Sequence, residues 1–172
     1  MKKILVVYHS LGGNTEAAAL AVEKALKEIS EVEVRKRKAL EASLDDLLWS
    51  DGLVIGSGDY FSYIAGALKD FFDRTFYPSR GKVEGKPYFA FLTHGGGGKA
   101  ITSLESIAES FKFRKVQEPV LLKGCPDTQG QQKLAEAAKK FAALILGGKP
   151  ENWFSGFPAK QLSLLLAEFS YQ

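Results

Sequence analysis

The chain is poor in several things, and each shortage closes a class of function. One cysteine in 172 residues excludes an internal disulfide framework and fits a reducing compartment. No apolar run approaches the ~20 residues that a membrane-spanning helix needs. Lys2 and Lys3 precede an apolar stretch, but it stops at His9, too short for the core of a secretion signal. A cytoplasmic location with no membrane partner is the expectation. Charge of one sign is also scarce. The net +3 suits an anionic ligand but does not signal nucleic-acid binding. His9 and His94 are the only histidines, and neither lies near Cys125 in the sequence. Cys125 therefore reads as an ordinary loop cysteine, no catalytic residue is singled out, and no metal site is expected. Two nucleotide-binding fingerprints are missing as well, G-x-G-x-x-G and G-x-x-x-x-G-K-[ST].

What is present is a soluble composition, 45% hydrophobic and 25% charged, in a chain long enough for one full core. The most informative stretch is Ile4–Thr15, ILVVYHSLGGNT. An apolar run opens through Ser, Gly-Gly, Asn and Thr directly into a helical pattern, the start of a βα unit. The loop Ser10, Leu11, Gly12, Gly13, Asn14 and Thr15 lies over a helix amino end, where unpaired N–H groups and the macrodipole favour an anion. It reads either as a phosphate site or as a plain βα turn capped by Asn14 or Thr15.

Further along, apolar spacing predicts strands at Leu53–Ile55, Tyr88–Leu92 and within Val116–Leu122, each followed by a helical pattern. Val32 and Val34 alternate with polar residues, as in an edge strand. Ser43 with Asp46 predicts a capped short helix, and Thr128 with Gln131 a capping box on the last one. Pro119 argues that the fifth strand is an edge or bulged strand. Pro78 is expected to end the third helix. Five strands alternating with helices, with the second and fifth at the edges, predict a doubly wound α/β domain with a parallel sheet in the order 2-1-3-4-5.

That order brings three loops together at the carboxyl ends of the central strands: Ser10–Thr15, Ser57–Tyr63 and Thr93–Gly98. The second loop offers Ser57, Gly58, Asp59, Tyr60, Phe61 and Tyr63. Aromatics on an exposed loop suit stacking on something flat, with one residue plugging over the following helix. The third offers Thr93, His94 and the four glycines Gly95, Gly96, Gly97 and Gly98, a main chain able to lie against a ligand and donate N–H groups. A phosphate site, a stacking platform and a line of backbone donors describe a flat ring with a phosphorylated tail, flavin mononucleotide (FMN). A receiver domain shares the fold but needs acidic residues where Tyr8, His9 and Gly56 stand.

Val6–Ala19, VVYHSLGGNTEAAA, resembles the FMN-phosphate signature of flavodoxins, and Gly56–Arg74 is similar to the second flavin loop and helix of flavodoxin-like quinone and FMN reductases. The resemblance covers roughly Lys3–Gly147 and implies a flavodoxin-like three-layer sandwich. It implies that Ser10–Thr15 hold the phosphate, Asp59–Phe61 meet the ring and ribityl chain, and Thr93–Gly98 meet the pyrimidine edge. Relatives often carry proline where this chain has Gly58. Two functions follow from the resemblance. One is NAD(P)H-dependent reduction of quinones or similar small-molecule acceptors. The other is a one-electron carrier serving a redox partner protein. Carriers of this family tend to be strongly acidic, so the positive net charge favours the reductase. Residues 1–148 are expected to form the FMN-binding domain. Residues 149–172 read as an amphipathic extension in which Leu162, Leu165, Leu166 and Phe169 form one stripe. That stripe either docks on its own domain or crosses to a second copy in a homodimer.

Overall fold

The structure, a computed structural model, describes residues 1–147, so the extension at 149–172 lies outside the described residues. In chain order the elements are β1 (Lys2–Tyr8), α1 (Asn14–Lys27), β2 (Val32–Lys38), α2 (Leu44–Trp49), β3 (Gly52–Gly58) and α3 (Gly66–Ser79). They continue with β4 (Pro87–His94), α4 (Ala100–Ser110), β5 (Arg114–Lys115), β6 (Val120–Lys123) and α5 (Thr128–Ile145). The sheet is parallel and runs β2-β1-β3-β4-β5, with β6 also on β4. This is the expected order.

Both faces of the sheet are covered, and the pleat divides each central strand between them. Leu5 and Val7 of β1 face a cluster built with Leu68, Phe71 and Phe72 of α3 and Leu104 and Ala108 of α4. Ile4, Val6 and Tyr8 face the other cluster, with Ala18 and Val22 of α1 and Leu134, Ala138 and Phe141 of α5. Each fully buried Leu, Ile or Phe contributes roughly 1.5–3 kcal/mol over leaving it in water, so the sandwich holds its loops on a rigid frame.

The bulge expected at Pro119 is present and splits the fifth strand, while two other local details differ from expectation. β4 advances from Tyr88 to Phe91 while the outer strand advances from Lys115 to Val120. Two extra residues bulge there, in the stretch that holds Pro119, which has no N–H for the ladder. The cap of α5 is Asp127, one residue ahead of Thr128, and its side chain accepts from Gly130 N–H at 2.7 Å. Pro78 sits inside the last turn of α3, which runs on to Ser79. The Ser43–Asp46 capping box on α2 is present. No helix among the described residues is long and apolar enough to cross a membrane.

Candidate functional site

β1, β3 and β4 are neighbours, so the loops leaving their carboxyl ends meet on one edge of the sheet. There they line a cleft of about 210 Å³, walled by Ser10, Gly12, Asn14, Thr15, Gly58, Asp59, Tyr60, Thr93, His94, Gly95 and Gly124. Ten of these residues were legible in the sequence.

The first loop is held in shape from inside and left open at its end. Ser10 Oγ accepts from Gly13 N–H at 3.1 Å, and Tyr60 Oη accepts from Leu11 N–H at 3.1 Å. Neither Asn14 nor Thr15 caps α1. The cap is Gly13, with φ +90, and among the described residues no side chain accepts from the N–H groups of the first turn, Asn14 to Glu16. A glycine is required because a side chain is strained at that φ. The uncapped first turn leaves N–H donors and the positive helix end facing the cleft. Glu16 in that turn is an opposing charge, and it is engaged. It accepts from Tyr8 Oη at 2.9 Å and pairs with Lys38 at 3.5 Å. The Tyr8 bond, then Lys38, hold its carboxyl below the usual range. Burial, then Glu16, push the Tyr8 phenol far above its ordinary range.

Thr15 and Thr93 are 2% and 4% exposed, and their hydroxyls meet at 2.7 Å across 78 residues of sequence. Two hydroxyls own two protons, and one bond uses one of them. The pair therefore keeps a second proton to offer elsewhere.

The second loop is a tight turn. Tyr60 and Tyr63 exchange backbone bonds, while Phe61 and Ser62 both have positive φ, 56 and 62. This is the conformation of a type I′ hairpin turn, unusual without Gly or Asn. Asp59 pins the turn: one carboxylate oxygen accepts from Ser62 N–H at 2.9 Å, the other from Ala100 N–H at 3.4 Å. Tyr60 is the aromatic plug, packed against the α3–α4 cluster. A Cβ on Gly58 would lie 2.8 Å from the Tyr60 ring, so glycine lets that ring lie down and reach Leu11. Ser57 is buried away from the cleft, donating to Gly58 C=O and accepting from Ala65 N–H. Leu11 and Phe61 stand exposed outside the lining.

In the third loop Gly95 lines the cleft, while Gly96, Gly97 and Gly98 do not. The His94 ring lies 3.2 Å from where a Cβ on Gly98 would stand. Its Nδ1 is buried with no hydrogen-bond partner among the described residues, and its C=O accepts from Gly124 N–H at 2.9 Å. Gly124 is the lining residue that the sequence reading missed. The signal was available, since Gly124 follows the carboxyl end of a strand, where ligands of open α/β sheets gather.

The NADPH-dependent FMN reductase family matches residues 2–127. A flavodoxin of Aquifex aeolicus is 29% identical over 98% of this chain and 87% of its own. An NAD(P)H dehydrogenase (quinone) of Acidithiobacillus ferrooxidans is 30% identical over 62% of this chain and 66% of its own. In fold, the chain is similar to a flavodoxin from the domain Archaea, with a TM-score of 0.74, 23% identity, and coverage of 84% of this chain and 99% of that one. From the match across most of its length, the chain belongs to the NADPH-dependent FMN reductase family.

Proposed function

We propose that the cleft holds FMN and that the protein passes electrons from NADPH through it to a quinone or a similar small acceptor. The observation that carries this reading is the α1 amino end, whose first turn no side chain among the described residues caps and which opens into a cleft walled by the other two loops. The residues present fit such a cofactor. The helix end with Ser10, Asn14 and Thr15 suits its phosphate. The Thr15–Thr93 pair has a proton to spare for an acceptor oxygen. His94, a lining residue, has a buried Nδ1 with no hydrogen-bond partner among the described residues. When bound, FMN supplies the redox chemistry, taking electrons from a reduced nicotinamide and passing them on. The chain's own work is to anchor, orient and shield. Asp59, Tyr60 and Gly58 keep the second loop in one shape, and the Tyr60–Leu11 bond ties it to the first. A cytoplasmic setting and self-association through residues 149–172 belong to the same reading. Light scattering on the full chain tests the latter.

Purified protein mixed with FMN should quench flavin fluorescence and shift its absorbance bands, and Thr15→Glu should abolish both by placing a carboxylate at the anion site. Steady-state NADPH oxidation with a benzoquinone should then show turnover. Absence of flavin binding by the wild type ends this reading. A second reading, a carrier that docks on a protein partner, is favoured by the apolar rim of Leu11 and Phe61, both exposed. FMN uptake without quinone turnover would select it.

A further inference from the structure

The charges around the cleft are unevenly neutralised. Near β2, Lys38 pairs with Glu16 at 3.5 Å, Lys36 with Glu23 at 2.7 Å, and Arg35 and Arg37 both with Asp46. On the β4–β6 side the carboxylates are occupied by backbone. Asp59 accepts from Ser62 and Ala100, and Asp127 caps α5. Among the exposed cations with no ion pair in the described residues, Lys99 and Lys123 adjoin this side of the cleft. Lys123 stands opposite His94 in the β4–β6 register. Leu121 shares its face of β6, and Leu121 Cδ1 lies 3.6 Å from the position of a Cβ on Gly98, the residue before Lys99. Lys99 thus directly follows the four-glycine loop, and Lys123 lies beside His94 in the ladder and next to Gly124, both of which line the cleft.

We propose that Lys99 and Lys123 receive the 2′-phosphate of the dinucleotide donor and set its preference over the unphosphorylated form. This rests on the reading that the cleft works on a reduced nicotinamide. With FMN in the cleft, the adenosine half of the donor is left to the rim. Among the described residues, Lys99 and Lys123 are unpaired cations directly beside cleft-lining residues, placed to meet a dianion there. A phosphate is what separates the two dinucleotides, and lysine binds phosphate as a compact point charge. The remaining cations near the sheet's β2 edge are already paired, which leaves them little to offer a second anion.

The test uses full-length protein loaded with FMN, with loading verified by the flavin spectrum before any dinucleotide is added. Calorimetric titration with NADP⁺ and with NAD⁺ then compares wild type, Lys99→Gln, Lys123→Gln and the double variant. Lys112→Asn makes the same change of charge at the opposite end of the sheet, and asparagine tolerates the positive φ found there. Wild type should bind NADP⁺ more tightly than NAD⁺. The double variant should lose about tenfold in NADP⁺ affinity, while NAD⁺ moves by less than about twofold and FMN binding is kept. The wild-type preference should also shrink as salt rises. Equal losses for both dinucleotides, no loss for either, or the same loss in Lys112→Asn would overturn the proposal. A protein that takes up no FMN sinks this proposal together with the reading it rests on, and the flavin spectrum distinguishes that failure from the others.

Discussion

The buried hydroxyl pair Thr15–Thr93 makes opposite demands on stability and on binding, and the two can be separated by experiment. Thr93→Val keeps the shape but leaves the Thr15 hydroxyl, on a residue 2% exposed, without the partner it meets at 2.7 Å. An unsatisfied buried hydroxyl costs about 1–3 kcal/mol, and Thr15→Val should cost the same for the converse reason. Replacing both removes the need for either partner, so the double variant should be nearly as stable as wild type. The coupling between the two sites is then about 1–3 kcal/mol, far above the few tenths expected of independent positions. Urea unfolding of the flavin-free protein reads this directly. With a slope near 2 kcal/mol/M, a loss of 2 kcal/mol moves the midpoint by about 1 M. Flavin binding should follow the other course. Each single variant loses affinity, and the double variant, having no hydroxyl proton to offer, should lose about tenfold or more although its stability has returned. Strictly additive stabilities, or single variants costing less than about 0.5 kcal/mol, would refute the reasoning, because water in the cleft would then be satisfying the hydroxyl left behind.

Other expectations follow from particular contacts. Gly58→Ala should leave the fold intact at a cost of about 1 kcal/mol, since it displaces the Tyr60 ring from 2.8 Å and breaks its bond to Leu11 N–H; fluorescence titration should nevertheless show clearly weakened FMN binding. Burial pushes the Tyr88 phenol up to about 12. A folded-state value raised above the ordinary ~10 gives stability that is full below pH 10 and is lost as pH rises toward 12. Circular dichroism against pH should show that loss, of roughly 2–3 kcal/mol in total, and Tyr88→Phe should remove most of it. Asp127→Ala should destabilise by about 1 kcal/mol through loss of the α5 cap, visible as a lower thermal midpoint without a change in FMN affinity.

Periodicity and edge signals in the sequence were enough for the frame of this protein. The alternation at Val32 and Val34, the apolar runs of the central strands and Pro119 near the outer edge together determined a parallel sheet in the order found. The order in turn determined which three loops meet. Those signals are local or repeat along the chain, and burial on one face or two leaves its mark at every second or fourth residue. Only the tertiary structure decided how the loops are held. Whether Asn14, Thr15 or Gly13 caps α1 depends on a backbone φ of +90 at Gly13, and good capping residues beside it do not reveal that. The Thr15–Thr93 and Leu11–Tyr60 bonds join residues 78 and 49 positions apart, and nothing periodic marks such a meeting. Asp59 looks in sequence like a ligand-facing carboxylate, yet packing turns it onto two backbone N–H groups. Lys99 and Lys123 look no different from the lysines of β2 until the fold shows which carboxylates are already engaged. A side chain's partner is set by what the whole chain brings within about 3–4 Å of it, and that is a property of the packed molecule.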